Sequence, residues 1–198
     1  DLPDRDALAG ALGIALPSPL VVVTVHPATL DADPAAAARA VAAAMDAVPA
    51  TYVITLPNVD PGSAEVASLM EAAGRSDGRV TVGALGERRY WGLLRIADAV
   101  LGNSSSGVME APATGVPVVN VGDRQAGRRR DGLVLDAPAD AAAVTAALRS
   151  ALEPATHDAA RAARPRLADG RAGERAARMI AAWHPARPPR KAPLAVDR

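Results

Sequence analysis

The sequence predicts a doubly wound α/β domain built on a parallel sheet. Short valine-rich runs alternate with longer alanine-rich segments of helical character, which is the pattern of successive βαβ units. The runs are nearly continuous in hydrophobicity, as strands covered by helices on both faces must be. The length of 198 residues fits about one domain, on a usual span of roughly 100–200 residues, and can bury a core of its own.

The opening DLPDRDALAGALGI reads as a short amphipathic helix leading into a strand at Leu20–Val25. Further strands are expected at Thr51–Thr55, Val80–Val82, Ala99–Leu101, Val118–Val121 and Leu133–Leu135, each short and rich in β-branched residues. Between and after them, helices fit Pro34–Ala47, Ser63–Ala73, Glu87–Ile96, Gly107–Ala113, Ala139–Ala151 and Ala172–Trp183. The last segment, HPARPPRKAPLAVDR, carries four prolines and cannot sustain a helix. No repeat of 20–50 residues is visible, which argues against a solenoid.

Composition excludes several functions. Lys+Arg 22 against Asp+Glu 22 leaves no electrostatic footprint for a phosphate backbone or an anionic membrane, so neither nucleic acid nor membrane is expected as a partner. Without cysteine there is no disulfide framework, no thiol nucleophile and no zinc-finger-type site. His157 and His184 have no partner at metal-ligand spacing, so no metal and no cofactor is expected. No apolar run approaches the roughly 18 residues of a membrane span, and the start does not read as a signal peptide; a soluble, cytoplasmic chain is expected. The 48 alanines and 21 arginines to one lysine point to a GC-rich coding bias, so alanine runs carry little functional weight.

In an open α/β sheet the ligand crevice lies beyond the carboxyl ends of the strands. Four such places carry polar residues: His26–Thr29, Pro57–Asp60, Gly102–Gly107 and Gly122–Gln125. In GNSSSGVMEAP a strand ends in a glycine-bracketed serine run that opens a helix, bringing hydroxyls and unpaired N–H groups together where a phosphate or diphosphate would sit. Ser104, Ser105 and Ser106 are the candidate contacts, although serine is also an ordinary helix cap. Glu110 can accept hydrogen bonds from a ribose diol, or serve in a capping box. His26 stands at the rim before a proline, where an imidazole can bind a phosphate oxygen or move a proton, and where a purely structural histidine also fits. In GDRQAGRRR, Arg124, Gln125 and Arg128 are candidate ligand contacts, whereas Arg129 and Arg130 read as solvated. Asn58 is raised by position, although an Asx turn with Asp60 would account for both. A nucleophile elbow, a P-loop lysine and a G-x-G-x-x-G fingerprint are all absent, which disfavours hydrolase-triad, NTPase and nicotinamide chemistry.

Taken in order, VHPAT (25–29), LPNVDPGS (56–63), GNSSSGVMEAP (102–112), GVPVVNVGDRQAGR (115–128) and DGRAGER (169–175) resemble the C-terminal half of the hydrolysing UDP-N-acetylglucosamine 2-epimerases. The resemblance runs from about Leu20 to Trp183. It implies a Rossmann-like domain that is the C-terminal half of a GT-B fold, binding UDP or UDP-N-acetylglucosamine. By position it places Ser104 and Ser105 on the diphosphate, Glu110 on the ribose, and His26, Asn58 and Arg124 on the phosphate and sugar side. The implied reaction is anti-elimination of UDP to a glycal, then hydration to N-acetylmannosamine for sialic-acid or related sugars. In that family the proton-transferring acids come from an N-terminal domain with no counterpart here, in the same or a separate chain, and the full enzyme is a homo-oligomer. This chain alone is therefore expected to bind without turning over. The start at Asp1 then reads as a cut in a longer polypeptide, with 1–19 a linker helix, 20–183 the UDP-sugar-binding domain and 184–198 a proline-rich tail. A non-hydrolysing 2-epimerase, a GT-B glycosyltransferase half and a non-catalytic UDP-sugar-binding module are the alternatives.

Overall fold

A computed structural model of the chain describes residues 2–165 and 169–183; the tail 184–198 and His184 lie outside the described residues. Six strands form one parallel sheet: β1 (Leu20–Thr24), β2 (Thr51–Thr55), β3 (Arg79–Val82), β4 (Ala99–Gly102), β5 (Val118–Val121) and β6 (Val134–Ala137). Their spatial order is β3-β2-β1-β4-β5-β6. The order reverses between β1 and β4, which makes that pair the topological switch point of a Rossmann-like sheet.

The central strands are buried on both faces, and their alternate side chains feed two separate cores. Val21 and Val23 of β1 pack with Val41, Ala44 and Met45 of α2 (Ala36–Ala47) and with Val144 and Leu148 of α6 (Ala141–Ala151). Leu20 and Val22 face the other way, toward Leu8 of α1 (Arg5–Leu12) and Leu93 and Leu94 of α4 (Glu87–Ile96). The alanines of α2 thus have a packing role: small side chains on the buried face let a helix lie close to the sheet. α3 (Ser63–Ala73) completes the first face with Val66 and Met70.

Three elements differ from expectation. The strand expected at Leu133–Leu135 lies at Val134–Ala137: it is the edge strand, so Asp136 stays exposed within it, and its carboxylate accepts from Asn120 Nδ2 at 2.7 Å and from Arg130 Nη2 at 3.1 Å. The helix expected over Gly107–Ala113 starts earlier and breaks, giving α5 (Ser105–Met109) and a 3-10 turn (Ala111–Thr114). Pro112 has no N–H with which to continue the α ladder. An additional helix, α7 (Pro154–Ala162), begins with proline in its first turn, a start signal present in the sequence but not used.

Residues 2–19 are built into the second core. Asp4 caps α1 by accepting from Ala7 N at 2.9 Å, the Arg5 guanidinium donates to Leu16 O and, at 2.9 Å, to Ile96 O, and Leu8 and Leu16 are almost fully buried. The chain divides into two compact units, Asp1–Pro165 and Arg166–Arg198, a boundary inside the span expected as one domain. Within the second unit, α8 (Ala172–Ala182) carries Arg171–Glu174 and Arg178–Glu174 ion pairs, and Met179, Ile180 and Trp183 are exposed.

Leu8→Ala should lower stability by about 2–5 kcal/mol, the usual cost of emptying a leucine site in a core. Urea denaturation of the two proteins measures it; a loss below about 0.5 kcal/mol would mean that α1 is peripheral to the domain.

Candidate nucleotide-sugar site at the sheet switch point

The site begins where β4 closes against β1. Thr24 and Gly102 are register partners at the ends of these strands, and Gly102 has φ 138°. A Cβ at Gly102 would lie 2.0 Å from Thr24 O, so only glycine permits this approach. Asn103 follows and is 1% exposed. Its side chain clamps the loop after β1, with Nδ2 donating to His26 O at 2.8 Å and Oδ1 accepting from His26 N at 2.7 Å. Its own carbonyl accepts from Gln125 Nε2 at 2.8 Å and Arg124 Nη1 at 3.1 Å. The loops after β1, β4 and β5 are thereby joined through one residue.

A pocket of about 570 Å³ opens above this junction. It gathers seven of the residues singled out from the sequence: His26, Asn58, Ser104, Ser105, Ser106, Glu110 and Arg124. Ser104 caps α5, its Oγ accepting from Ser106 N at 3.4 Å. Because α5 spans only Ser105–Met109, few peptide dipoles add up behind it, and charge for an anion has to come from Arg124. Glu110 lies at the end of α5, not at the third helical position a capping box needs, and its side chain is exposed to the pocket. The Asn58–Asp60 turn closes through backbone bonds, Asp60 N to Asn58 O at 2.9 Å and Ser63 N to Asp60 O at 3.0 Å.

His26 is almost buried, and its Nδ1 accepts a long 3.4 Å bond from Asn58 N. That assigns the ring proton of the neutral form to Nε2. Burial, then the Arg124 charge, hold the imidazole below its usual range, against a smaller opposing pull from Asp60. At neutral pH the ring is a neutral N–H donor.

Gln125 and Arg128 stand apart from this group. They line a neighbouring cleft of about 430 Å³ that shares Ser105 and Arg124 with the first. Gln125 is 1% exposed and braces the Asn103 carbonyl, while exposed Arg128 lies with Nη1 3.1 Å from Met109 Sδ. Arg129 pairs with Asp131 at the surface. Arg130, expected to be solvated, instead braces the loop by donating to Gln125 O at 2.9 Å and to Asp136.

Sequence reasoning passed over Asn103 and the wall made by Leu85, Glu87, Tyr90 and Trp91. The loop after β3, VGALGE, is also a strand end, and the rule that found the other four applied to it equally. Among the described residues no group of three or more His, Asp or Glu could hold a metal ion, and no helix is long and apolar enough to cross a membrane.

The family model for UDP-N-acetylglucosamine 2-epimerase matches residues 4–181. The chain belongs to this family. A Campylobacter jejuni relative, GDP/UDP-N,N'-diacetylbacillosamine 2-epimerase (hydrolyzing), is 31% identical over 138 residues, covering 68% of this chain and 36% of the relative. Among solved structures, a Listeria monocytogenes protein assigned as a UDP-N-acetylglucosamine 2-epimerase matches with TM-score 0.66 at 20% identity, over 87% of this chain and 46% of that one. The Neisseria meningitidis UDP-GlcNAc 2-epimerase, solved with UDP-GlcNAc, matches with TM-score 0.62 at 14% identity, over 89% and 48%. These structures share the fold, and this 2-epimerase-family chain spans less than half the length of each of the three proteins.

Two measurements probe the site. Asn103→Ala should cost at least about 2 kcal/mol in urea denaturation, since it leaves a buried N–H and C=O of His26 unpaired; near-parent stability would show that the clamp is dispensable. For His26, the folded imidazole titrates below the unfolded value of 6.5, so protons favour the unfolded chain. Its stabilising contribution is complete above pH 6.5 and falls as the pH drops toward the lowered folded value. The urea midpoint of the parent should decline more steeply across that window than that of His26→Gln, and parallel profiles would contradict this.

Proposed function

We propose that this chain is the UDP-binding half of a hydrolysing UDP-N-acetylglucosamine 2-epimerase, which converts UDP-N-acetylglucosamine and water to N-acetylmannosamine and UDP. The observation that carries the reading is that Ser104, Ser105, Ser106, Arg124 and the neutral His26 all line a single pocket at the switch point. UDP is a leaving group, and donors fixed where its negative charge develops lower the barrier to its departure. Arg124 and Ser105 meet the diphosphate, and His26 donates through Nε2 to a phosphate oxygen. Asn58 faces the sugar side. Glu110 accepts from the ribose hydroxyls, and the apolar wall at Leu85 and Trp91 takes the base. Gln125 and Arg128 act from the adjoining cleft, Gln125 by holding Asn103 and Arg128 as a long-range cation.

The hydrolysing outcome is favoured by the Campylobacter relative, whose name specifies hydrolysis. In this reading UDP leaves by anti-elimination, and water adds to the glycal. The acids that move the protons belong to a second domain, in the same polypeptide or a separate one, within a homo-oligomer. Leu30 and Val59, fully exposed on the loops after β1 and β2, supply apolar rim for that domain to cover. The 198-residue chain then binds UDP without turnover, and the two-domain enzyme works in the cytoplasm, feeding sialic-acid or related sugar synthesis.

Proton NMR of the products made by a two-domain form tests the chemistry: free N-acetylmannosamine with UDP is expected, whereas UDP-N-acetylmannosamine would assign the non-hydrolysing reaction. Transfer of the sugar to an acceptor would indicate a glycosyltransferase. In calorimetric titration of the chain with UDP, Ser105→Ala and Arg124→Ala should each lose about 1.5–3 kcal/mol of binding, the usual worth of a charge-assisted contact. Unchanged affinity would remove the residue from the site.

A further inference from the structure

The ends of five strands carry one row of register partners: Thr55 on β2, Thr24 on β1, Gly102 on β4, Asn120 on β5 and Asp136 on β6. Each stands two positions beyond a valine of the core that holds α1 and α4, so the whole row lies on that face of the sheet. The row is polar on both sides of the glycine. Thr55 and Thr24 meet through their hydroxyls at 2.6 Å, and Asn120 Nδ2 donates to Asp136 Oδ1 at 2.7 Å. Gly102 has no side chain, and the row is interrupted there.

Asn120 is 2% exposed, and the orientation of its amide is fixed by its neighbours. One terminal atom faces two acceptors, Asp136 Oδ1 and, at 3.3 Å, Gly122 O, so that atom is the NH2 group. The other, Oδ1, is buried and meets no donor among the described residues. Buried acceptors are nearly always satisfied, by protein or by ordered water. A cavity of about 10 Å³ lies at the interruption, lined by Thr24, Gly102 and Asn120 of the row and by Ser104 and Gly107 of the serine loop and α5. One buried water needs about 10–15 Å³ of free space, so nothing larger fits. No carboxylate lines the cavity, so it offers no charge to a cation.

We propose that this cavity is a binding site for one structural water, which bridges Asn120 Oδ1 to Thr24 Oγ1 across Gly102. The direction of each bond follows from the protein. Thr55 Oγ1 donates to Val23 O at 3.3 Å, so the proton shared by the two threonines comes from Thr24. Thr24 Oγ1 is then left as an acceptor, as Asn120 Oδ1 is, and one water has two protons to give them. Two such partners meet the requirement of a buried water. The bridge makes the row continuous from Thr55 to Asp136 at the one position where β1 and β4 approach too closely to admit a side chain. It lies beneath the serine loop, and it does not depend on which ligand the pocket above takes.

A crystal structure of the 198-residue chain, at a resolution that shows ordered water, tests the site. One water is expected within about 2.5–3.2 Å of both Asn120 Oδ1 and Thr24 Oγ1. A dry cavity, or a water that reaches only one of the two atoms, would overturn the proposal. Two variants check the partners by the same method. Thr55→Val breaks the threonine pair without touching the cavity lining and should keep the water, whereas Thr24→Val removes one acceptor and should lose it. A water held at its parent position in Thr24→Val would overturn the bridge. The parent structure decides the matter by itself if Thr24→Val folds poorly.

Discussion

The site depends on the hydrogen bonds of Asn103. One buried amide holds both backbone groups of His26, and the same residue's carbonyl holds Arg124 and Gln125. Loops are ordinarily the softest part of an α/β domain, and three of them here are tied to one point on the sheet. The register of β1 and β4 allows it, because Gly102 brings the strand ends closer than any side chain would permit. The fold contributes to chemistry at this junction: topology sets the crevice, glycine narrows it, and asparagine fixes what projects into it.

The electrostatics of the pocket are economical. The chain has no net charge, and the helix behind the serine loop is too short for a large dipole. Attraction for an anion is therefore local, coming from Arg124, the serine hydroxyls and a neutral imidazole. Arg124 has two effects, since its charge suits an anion and, after burial, it is the second cause that holds the His26 imidazole below its ordinary range.

Most of the sheet was legible because a strand buried on both faces leaves a signature of consecutive valines, as β1 and β5 do. β6 was displaced in the reading because an aspartate breaks that signature; on this edge strand Asp136 is exposed, and it meets Asn120 and Arg130, partners that no local pattern reveals. The candidate site was legible to the extent that polar residues directly follow strands: seven of them meet in one pocket. Gln125 and Arg128 also follow a strand, yet the loop turns them into the adjoining cleft. Tyr90 was hidden for another reason. It sits on a helix, where an aromatic residue reads as core, and only the packing of α4 beside α5 brings its hydroxyl to Ser106.

The central claim is that the junction held by Asn103 is a diphosphate cradle. A crystal structure of this chain with UDP would test it most directly. The account predicts the β-phosphate within hydrogen-bonding distance of Ser104 or Ser105, the Arg124 guanidinium and His26 Nε2, with the ribose beside Glu110. A nucleotide held instead by Gln125 and Arg128 in the neighbouring cleft, with no phosphate contact to the serine loop, would contradict it.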